Sequence, residues 1–289
     1  MKNFITLLSL AVSTIMVNAQ EIKNEMQKMS PEKLWELGRV SLDHTSNGYA
    51  LYGVTHYNLD ENVGSRDLFL VDVHNDKISR LTNSSNSKQS GFLIRGGRSY
   101  CYIEKGQLYI ATVNPSKTEL PRKLTSIKGG INNAKIKELN DGRLILTFSC
   151  RVKIDQSPLE RHPDKPKAEY SVHDDLMYRH WDKWTDYSYN HIVFSLIDPN
   201  NKTPTSKYTD IMEGERFHSP MPPFGGSESF DISHDGRFIV YASKKLIGKD
   251  FTIHTDSKLY LYDRDSVSYT HLRAHETPEH LVCRLLLEK

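Results

Sequence analysis

The chain has 289 residues, 37% of them hydrophobic and 26% charged, so it is neither disordered nor collagenous and can bury the core of one large domain or two ordinary ones. Lysine and arginine number 38 against 36 aspartate and glutamate, a formal charge of +2, which leaves no electrostatic footprint for nucleic acid and no polybasic membrane patch. Cys101, Cys150 and Cys283 show no C-x-x-C spacing, which argues against a zinc ribbon or a redox pair. A Cys101–Cys150 disulfide and two buried free thiols both stay open.

Residues 1–19 carry a lysine near the start, an apolar run from Phe4 to Val17, and Val17-Asn18-Ala19, the small-residue pattern of a secretory cleavage site. The run is short for a membrane span and no lipid-bearing cysteine follows it, so the expectation is export, cleavage after Ala19, and a periplasmic or secreted product. Within 20–39, Ser30-Pro31-Glu32 opens a short amphipathic helix with Leu34, Leu37 and Val40 on one face.

From about Val40 the pattern changes to short strands rich in Tyr, Val, Ile, Leu and Phe: 49–54, 67–73, 99–103, 107–113, 143–148, 191–197, 237–242 and 258–263. They recur as a unit: a turn at Asn47-Gly48, Gly96-Gly97, Asp141-Gly142 or Asp235-Gly236, then two strands, often closed by Leu-Thr. Leu81-Thr82 and Leu124-Thr125 lie 43 residues apart, and Tyr208-Thr209 falls 84 further on. A period near 40 with four strands per unit predicts an all-β fold over 40–265, a partial β-propeller of about four blades of four-stranded sheets. A β-sandwich of repeated hairpins is the competing architecture.

The third unit is swollen by an insert over about 153–190. In Ser171-Val-His-Asp-Asp-Leu-Met-Tyr-Arg-His-Trp-Asp-Lys-Trp184, residues Leu176, His180 and Trp184 are spaced i, i+4, i+8, with Met177 and Trp181 as a second pair. That spacing predicts a helix started near Ser171, its aromatic stripe facing inward and Asp175, Arg179 and Asp182 facing water. Such a helix either packs on a sheet edge or forms a lid over a substrate entrance. An acidic turn, Asp210-Ile-Met-Glu-Gly-Glu215, follows.

Residues 266–289 do not fit the repeat. VSYTHLRAHET, from Val267 to Thr277, matches one reading frame of a transposon-type sequencing-library adapter, so the segment is expected to be non-native, which leaves Lys258–Asp263 as the outer strand of the fourth blade and the gene continuing past Asp265. A metal site assembled from His271, His275, His280 and Cys283 would then be spurious. Elsewhere no metal or cofactor is implied: His173 and His180, seven apart, lack the helical i, i+4 pair with an associated glutamate. Gly225-Gly-Ser227-Glu-Ser229 lacks the final glycine of a nucleophile elbow, and Pro222-Pro223 cannot form its strand, so Ser227 is not a nucleophile. The sequons at Asn83 and Asn201 are of a kind that Asn- and Ser-rich loops generate by chance.

Three stretches together resemble the N-terminal propeller of the prolyl oligopeptidase family of serine peptidases, in its dipeptidyl-peptidase branch: Asp175–Trp184, Asp210–Phe230 and Ile232–Lys245. The resemblance covers roughly Ser30 to Asp265. It implies a propeller of seven or eight blades capping an α/β-hydrolase domain, whose Ser, Asp and His cleave dipeptides from free N-termini. None of those three residues is identified in this chain, which should be inactive alone. The implied partners are peptide substrates and that hydrolase domain, with room for a homodimer. Glu213 and Glu215 are expected near the entrance to that active site, at least one of them helping to hold the substrate's ammonium group, shielded by Tyr178, Trp181 and Trp184. Gly96-Gly97 and Ser233-His-Asp-Gly236 depart from the family's Pro-Asp-Gly turn but keep the glycine. A non-enzymatic periplasmic TolB-like propeller that binds other proteins shares the Asp-Gly strand repeat and is the alternative function.

Overall fold

The computed structural model describes residues 28–272 except 84–85, 114–119 and 168–169. The signal segment, His275, His280 and Cys283 therefore lie outside the described residues. Helix α1, Pro31–Glu36, is capped by the Ser30 hydroxyl, which accepts from the Lys33 amide, and it has proline at its first turn. It ends before Leu37, and Leu34, Leu37 and Val40 are all exposed, so the expected apolar face is not a buried one.

Four four-stranded antiparallel sheets follow in chain order, each with its strands in meander order. The first is β1 Arg39–Ser46, β2 Tyr49–Asn58, β3 Val63–Asp72 and β4 Lys77–Arg80. The second is β5 Gln89–Ile94, β6 Ser99–Glu104, β7 Gln107–Thr112 and β8 Arg122–Lys123. The third is β9 Asn132–Glu138, β10 Leu144–Lys153, β13 Ser188–Ile197 and β14 Thr209–Asp210, with the insert between β10 and β13. The fourth is β15 Phe230–Ile232, β16 Phe238–Ser243, β17 Lys258–Asp263 and β18 Ser268–Leu272, with α3, Gly248–Ile253, between β16 and β17.

Packing decides between sandwich and propeller. Successive residues of a strand point to opposite faces. In β6, Tyr100 and Tyr102 join a core with Leu51, Leu68 and Leu70 of the first sheet, whereas Cys101 and Ile103 join one with Leu144, Leu146 and Phe148 of the third. In β10, Ile145 turns the other way and packs with Ile239, Tyr241 and Tyr262 of the fourth. Each inner sheet is thus buried on both faces by its sequence neighbours, which is the blade-on-blade packing of a propeller. Near-continuous apolar runs such as Leu-Ile-Leu-Thr-Phe in β10 follow from that double burial.

The Leu-Thr repeat has a physical cause. The Thr82 hydroxyl accepts the Leu68 amide at 2.9 Å and donates to Asp67 at 2.7 Å. The Thr125 hydroxyl repeats this with Leu108 and Gln107, at 2.8 and 3.0 Å. Each hydroxyl satisfies a buried amide where the outer strand leaves the ladder. Cys101 and Cys150 are free, buried thiols, both pushed up to about 12 by burial.

Two sequence expectations are corrected. The insert holds no helix over 171–184; among the described residues its one helical turn is α2, Pro158–Arg161, and the aromatic run instead makes a small hairpin, β11 Arg179–His180 with β12 Lys183–Trp184. Leu176, Tyr178, Trp181 and Trp184 are exposed, so the i, i+4 stripe has no surface to bury against, and Arg179 pairs across the strands with Trp184 instead. Also, the outer strand of the fourth blade is β18, inside the segment read as adapter-derived, rather than β17. The turn before it matches the one before β4. Asp72 and Asp263 each accept the amide two residues on, at 3.0 Å, and the last turn residue is left-handed in both, Asp76 at φ 48° and Val267 at φ 51°. Aspartate suits that conformation and a β-branched valine does not.

Candidate functional site

The acidic turn is built by the third blade. Ile211 and Met212 are buried in the core shared with the fourth blade and anchor the turn's first arm. Met212-Glu-Gly-Glu215 closes with the Glu215 amide donating to the Met212 carbonyl at 2.9 Å. Gly214 sits at φ 79°, a conformation that glycine adopts without the Cβ penalty. Below it, fully buried His191 holds Asp210 Oδ2 through Nδ1 at 2.8 Å and the Glu215 carbonyl through Nε2 at 2.9 Å. Both ring nitrogens are thus engaged, one by a carboxylate and one by a carbonyl. The other Asp210 oxygen accepts the Met212 amide at 2.8 Å. Where the first two blades use a Thr hydroxyl beside the third strand, this blade uses the His191–Asp210 pair, and the turn hangs from it.

The two glutamates are not equivalent. Glu213 is exposed. The Glu215 side chain is 27% exposed, and its Oε1 meets Lys245 Nζ at 2.5 Å. Its Oε2 is buried and has no hydrogen-bond partner among the described residues. Lys245 Nζ lies 4.1 Å from the Tyr260 ring centroid and 5.5 Å from that of Tyr241, and reaches the Tyr241 hydroxyl at 3.3 Å. These rings are cross-strand partners on β16 and β17, stacked at 5.5 Å.

The three aromatic candidates fall into two groups. Tyr178 and Trp184 stack at 5.9 Å and both approach His173 at 5.8 Å, with the Arg179 guanidinium 5.5 Å from the Trp184 ring centroid. Trp181, at the hairpin tip with φ 52°, meets Phe224 edge to face at 5.0 Å. The contacts that tie the acidic turn to the insert run through Asp155, which receives Arg216 at 2.8 Å and the Tyr189 hydroxyl at 3.1 Å. The Asp155 amide in turn donates to the Tyr187 carbonyl. His218 accepts the Asn190 amide on Nδ1 at 3.0 Å, and burial pulls its pKa down to about 4.

Sequence reasoning missed His191, Asp210, Lys245, Tyr241, Tyr260 and Phe224. Asp210, Phe224, Tyr241 and Lys245 do stand within the family-like stretches, yet nothing in their spacing links them to Glu215 or Trp181.

No family profile matches the chain. Solved structures place the fold: an acylaminoacyl peptidase in complex with Z-Gly-Gly-Phe-chloromethyl ketone superposes with a TM-score of 0.53 at 14% identity, covering 84% of this chain and 34% of that one. The Pyrococcus horikoshii acylaminoacyl peptidase gives 0.52 at 12%, covering 86% and 34%. With the blade packing, these superpositions define the fold as a portion of a β-propeller. Among curated proteins it is similar to dipeptidyl-peptidase 5 of Porphyromonas endodontalis, 29% identical over 259 residues, 88% of this chain and 36% of that protein. It is 30% identical over 247 residues to dipeptidyl-peptidase 5 of Porphyromonas gingivalis, 84% of this chain and 35% of that protein. The chain thus belongs to the prolyl oligopeptidase family of peptidases, as a β-propeller portion, and spans about a third of the length of these relatives.

Proposed function

We propose that this chain is the substrate-gating propeller portion of a secreted or periplasmic serine dipeptidyl peptidase that removes dipeptides from free N-termini of peptides. The catalytic Ser, Asp and His belong to an α/β-hydrolase domain of the same polypeptide. The observation that carries this reading is the similarity to two dipeptidyl-peptidase 5 proteins across more than four fifths of the chain. Within the propeller, Glu215 faces the substrate ammonium. It is the glutamate that the fold holds in place, with Lys245 on Oε1 and its carbonyl bound by His191. Glu213, exposed in the same turn, adds negative charge. Trp181 with Phe224, and Tyr178 with Trp184, form the aromatic border of the approach.

The test is an independent read of the open reading frame past Asp265. The reading requires further blades and then a G-x-S-x-G elbow followed in chain order by Asp and His. A stop codon within a blade or two, with no hydrolase segment, overturns it. Export is checked by N-terminal sequencing of the mature product, which should begin at Gln20.

A further inference from the structure

We infer that the cleft between the first two blades is a carboxylate-binding site, in which Arg98 and Lys77 take the anion and Tyr49, Leu70 and Val113 enclose its apolar body. The cleft holds about 350 Å³, within the range of small-molecule sites. In each sheet the first-to-second and third-to-fourth strand connections share one end. The cleft lies at that end, between Tyr49 and Asp72 of the first blade and Gly97 and Thr112 of the second, whereas the insert and the acidic turn occupy the other.

The repeat shows why this arginine is available. An arginine follows the turn glycine in the second, third and fourth blades: Arg98, Arg143 and Arg237. Arg143 is neutralised by Asp141 of its own turn at 2.7 Å, and Arg237 by Asp263 at the end of the third strand, also at 2.7 Å. The matching positions in the second blade are Gly96 and Thr112. Thr112 pairs with Ser99 as Asp263 pairs with Phe238, in each case the residue after the arginine. Both carboxylates are thus missing, and Arg98 has no ion-pair partner among the described residues. Its Nε donates to the Arg95 carbonyl at 3.1 Å, which tethers the guanidinium and leaves the terminal nitrogens for a ligand.

Lys77 has no ion-pair partner among the described residues either. Its cross-strand partner Asp72 turns its carboxylate into the β3–β4 turn, where Asn75 Nδ2 and the His74 and Asn75 amides donate to it at 2.7, 3.0 and 3.3 Å. Lys77, Arg98 and Asp72 together leave one positive charge, which suits a monoanion. A guanidinium fork matches a planar carboxylate with two parallel hydrogen bonds. Leu70, Val113 and the Tyr49 ring supply apolar wall, and Gly97, at φ 87°, leaves room for that ring, which a Cβ there would approach to 2.8 Å. The ligand therefore joins a carboxylate to a short apolar body.

The test is isothermal titration calorimetry of the full-length gene product with N-acetyl-leucine, which has the carboxylate and the apolar body and lacks a free amine. One site is expected, with affinity falling about tenfold in Arg98→Met and about fivefold in Lys77→Met. Both side chains are exposed, so neither substitution should disturb folding. Thr112→Asp, which gives Arg98 the carboxylate that Arg237 has, should weaken binding at least tenfold with both cations still present. N-acetyl-leucinamide, without the charge, should not bind. Equal binding of N-acetyl-Ala-Ala-Leu makes the natural ligand a peptide C-terminus, and its exclusion makes it a small free acid; either result keeps the carboxylate site. Absence of saturable binding, equal binding of the amide, tighter binding of inorganic phosphate, or wild-type affinity in Arg98→Met overturns the inference.

Discussion

The third blade contains two regions of opposite character, its sheet and the excursion between β10 and β13. In the sheet, Leu144, Ile145, Leu146 and Phe148 are fully buried, with neighbouring blades on both faces. In the excursion, Trp181 is 67% exposed and its partner Phe224 73%. A sheet buried on both faces owes its residues to packing, whereas large aromatics held in water by two separate segments owe theirs to something else. Stability resides in the first region, and the recognition proposed above falls to the second.

The largest effect that sharpens this contrast is Phe148→Ala. Removing a fully buried ring between two blades should cost about 3–5 kcal/mol, read from the denaturant midpoint. If that substitution costs less than truncation of an exposed insert residue, the contrast is broken.

Next comes pH. His218 titrates at about 4 in the folded protein because burial disfavours its charged form, against about 6.5 when unfolded. Between those values the unfolded chain binds more protons, so stability is complete above about pH 6.5 and falls as pH drops toward 4, by roughly 3 kcal/mol in all. His218→Gln, which can still accept the Asn190 amide, should flatten that slope in a urea titration repeated across the window. An unchanged slope removes His218 as its source.

The same contrast explains what the sequence could and could not disclose. The blades were legible because double burial imposes apolar strands, and because turns such as Asn47-Gly48 and Asp235-Gly236 need particular residues. Leu81-Thr82 and Leu124-Thr125 betrayed the period because a hydroxyl is required at the same place in two blades. The insert misled because i, i+4 spacing signals a helix only where a surface waits to bury the stripe, and that surface is not written in the local sequence. For Glu215, residue type motivated the proposed role, but its ion pair was invisible: Lys245, steadied by Tyr260, reaches it from the next blade, 30 residues away.

A smaller effect lies within the regular region. Asp76 occupies a left-handed turn position in the first blade, so Asp76→Val should destabilise the protein by about 1 kcal/mol. Differential scanning calorimetry checks it, and an unchanged or raised melting temperature would show that the turn does not need the aspartate. Smallest of all, Trp181→Ala should change stability by no more than about 0.5 kcal/mol, as expected of an exposed residue. A loss of several kcal/mol would make the hairpin part of the fold's core and end the division proposed here.

The central claim is that this propeller serves an enzyme that counts two residues from a free amine. It is tested most directly by incubating the full-length gene product with one peptide in two forms, free and N-acetylated, and following the products by mass spectrometry. The account predicts successive loss of dipeptides from the free peptide and none from the acetylated one. Equal cleavage of both forms, or release of an acetylated residue, would contradict it.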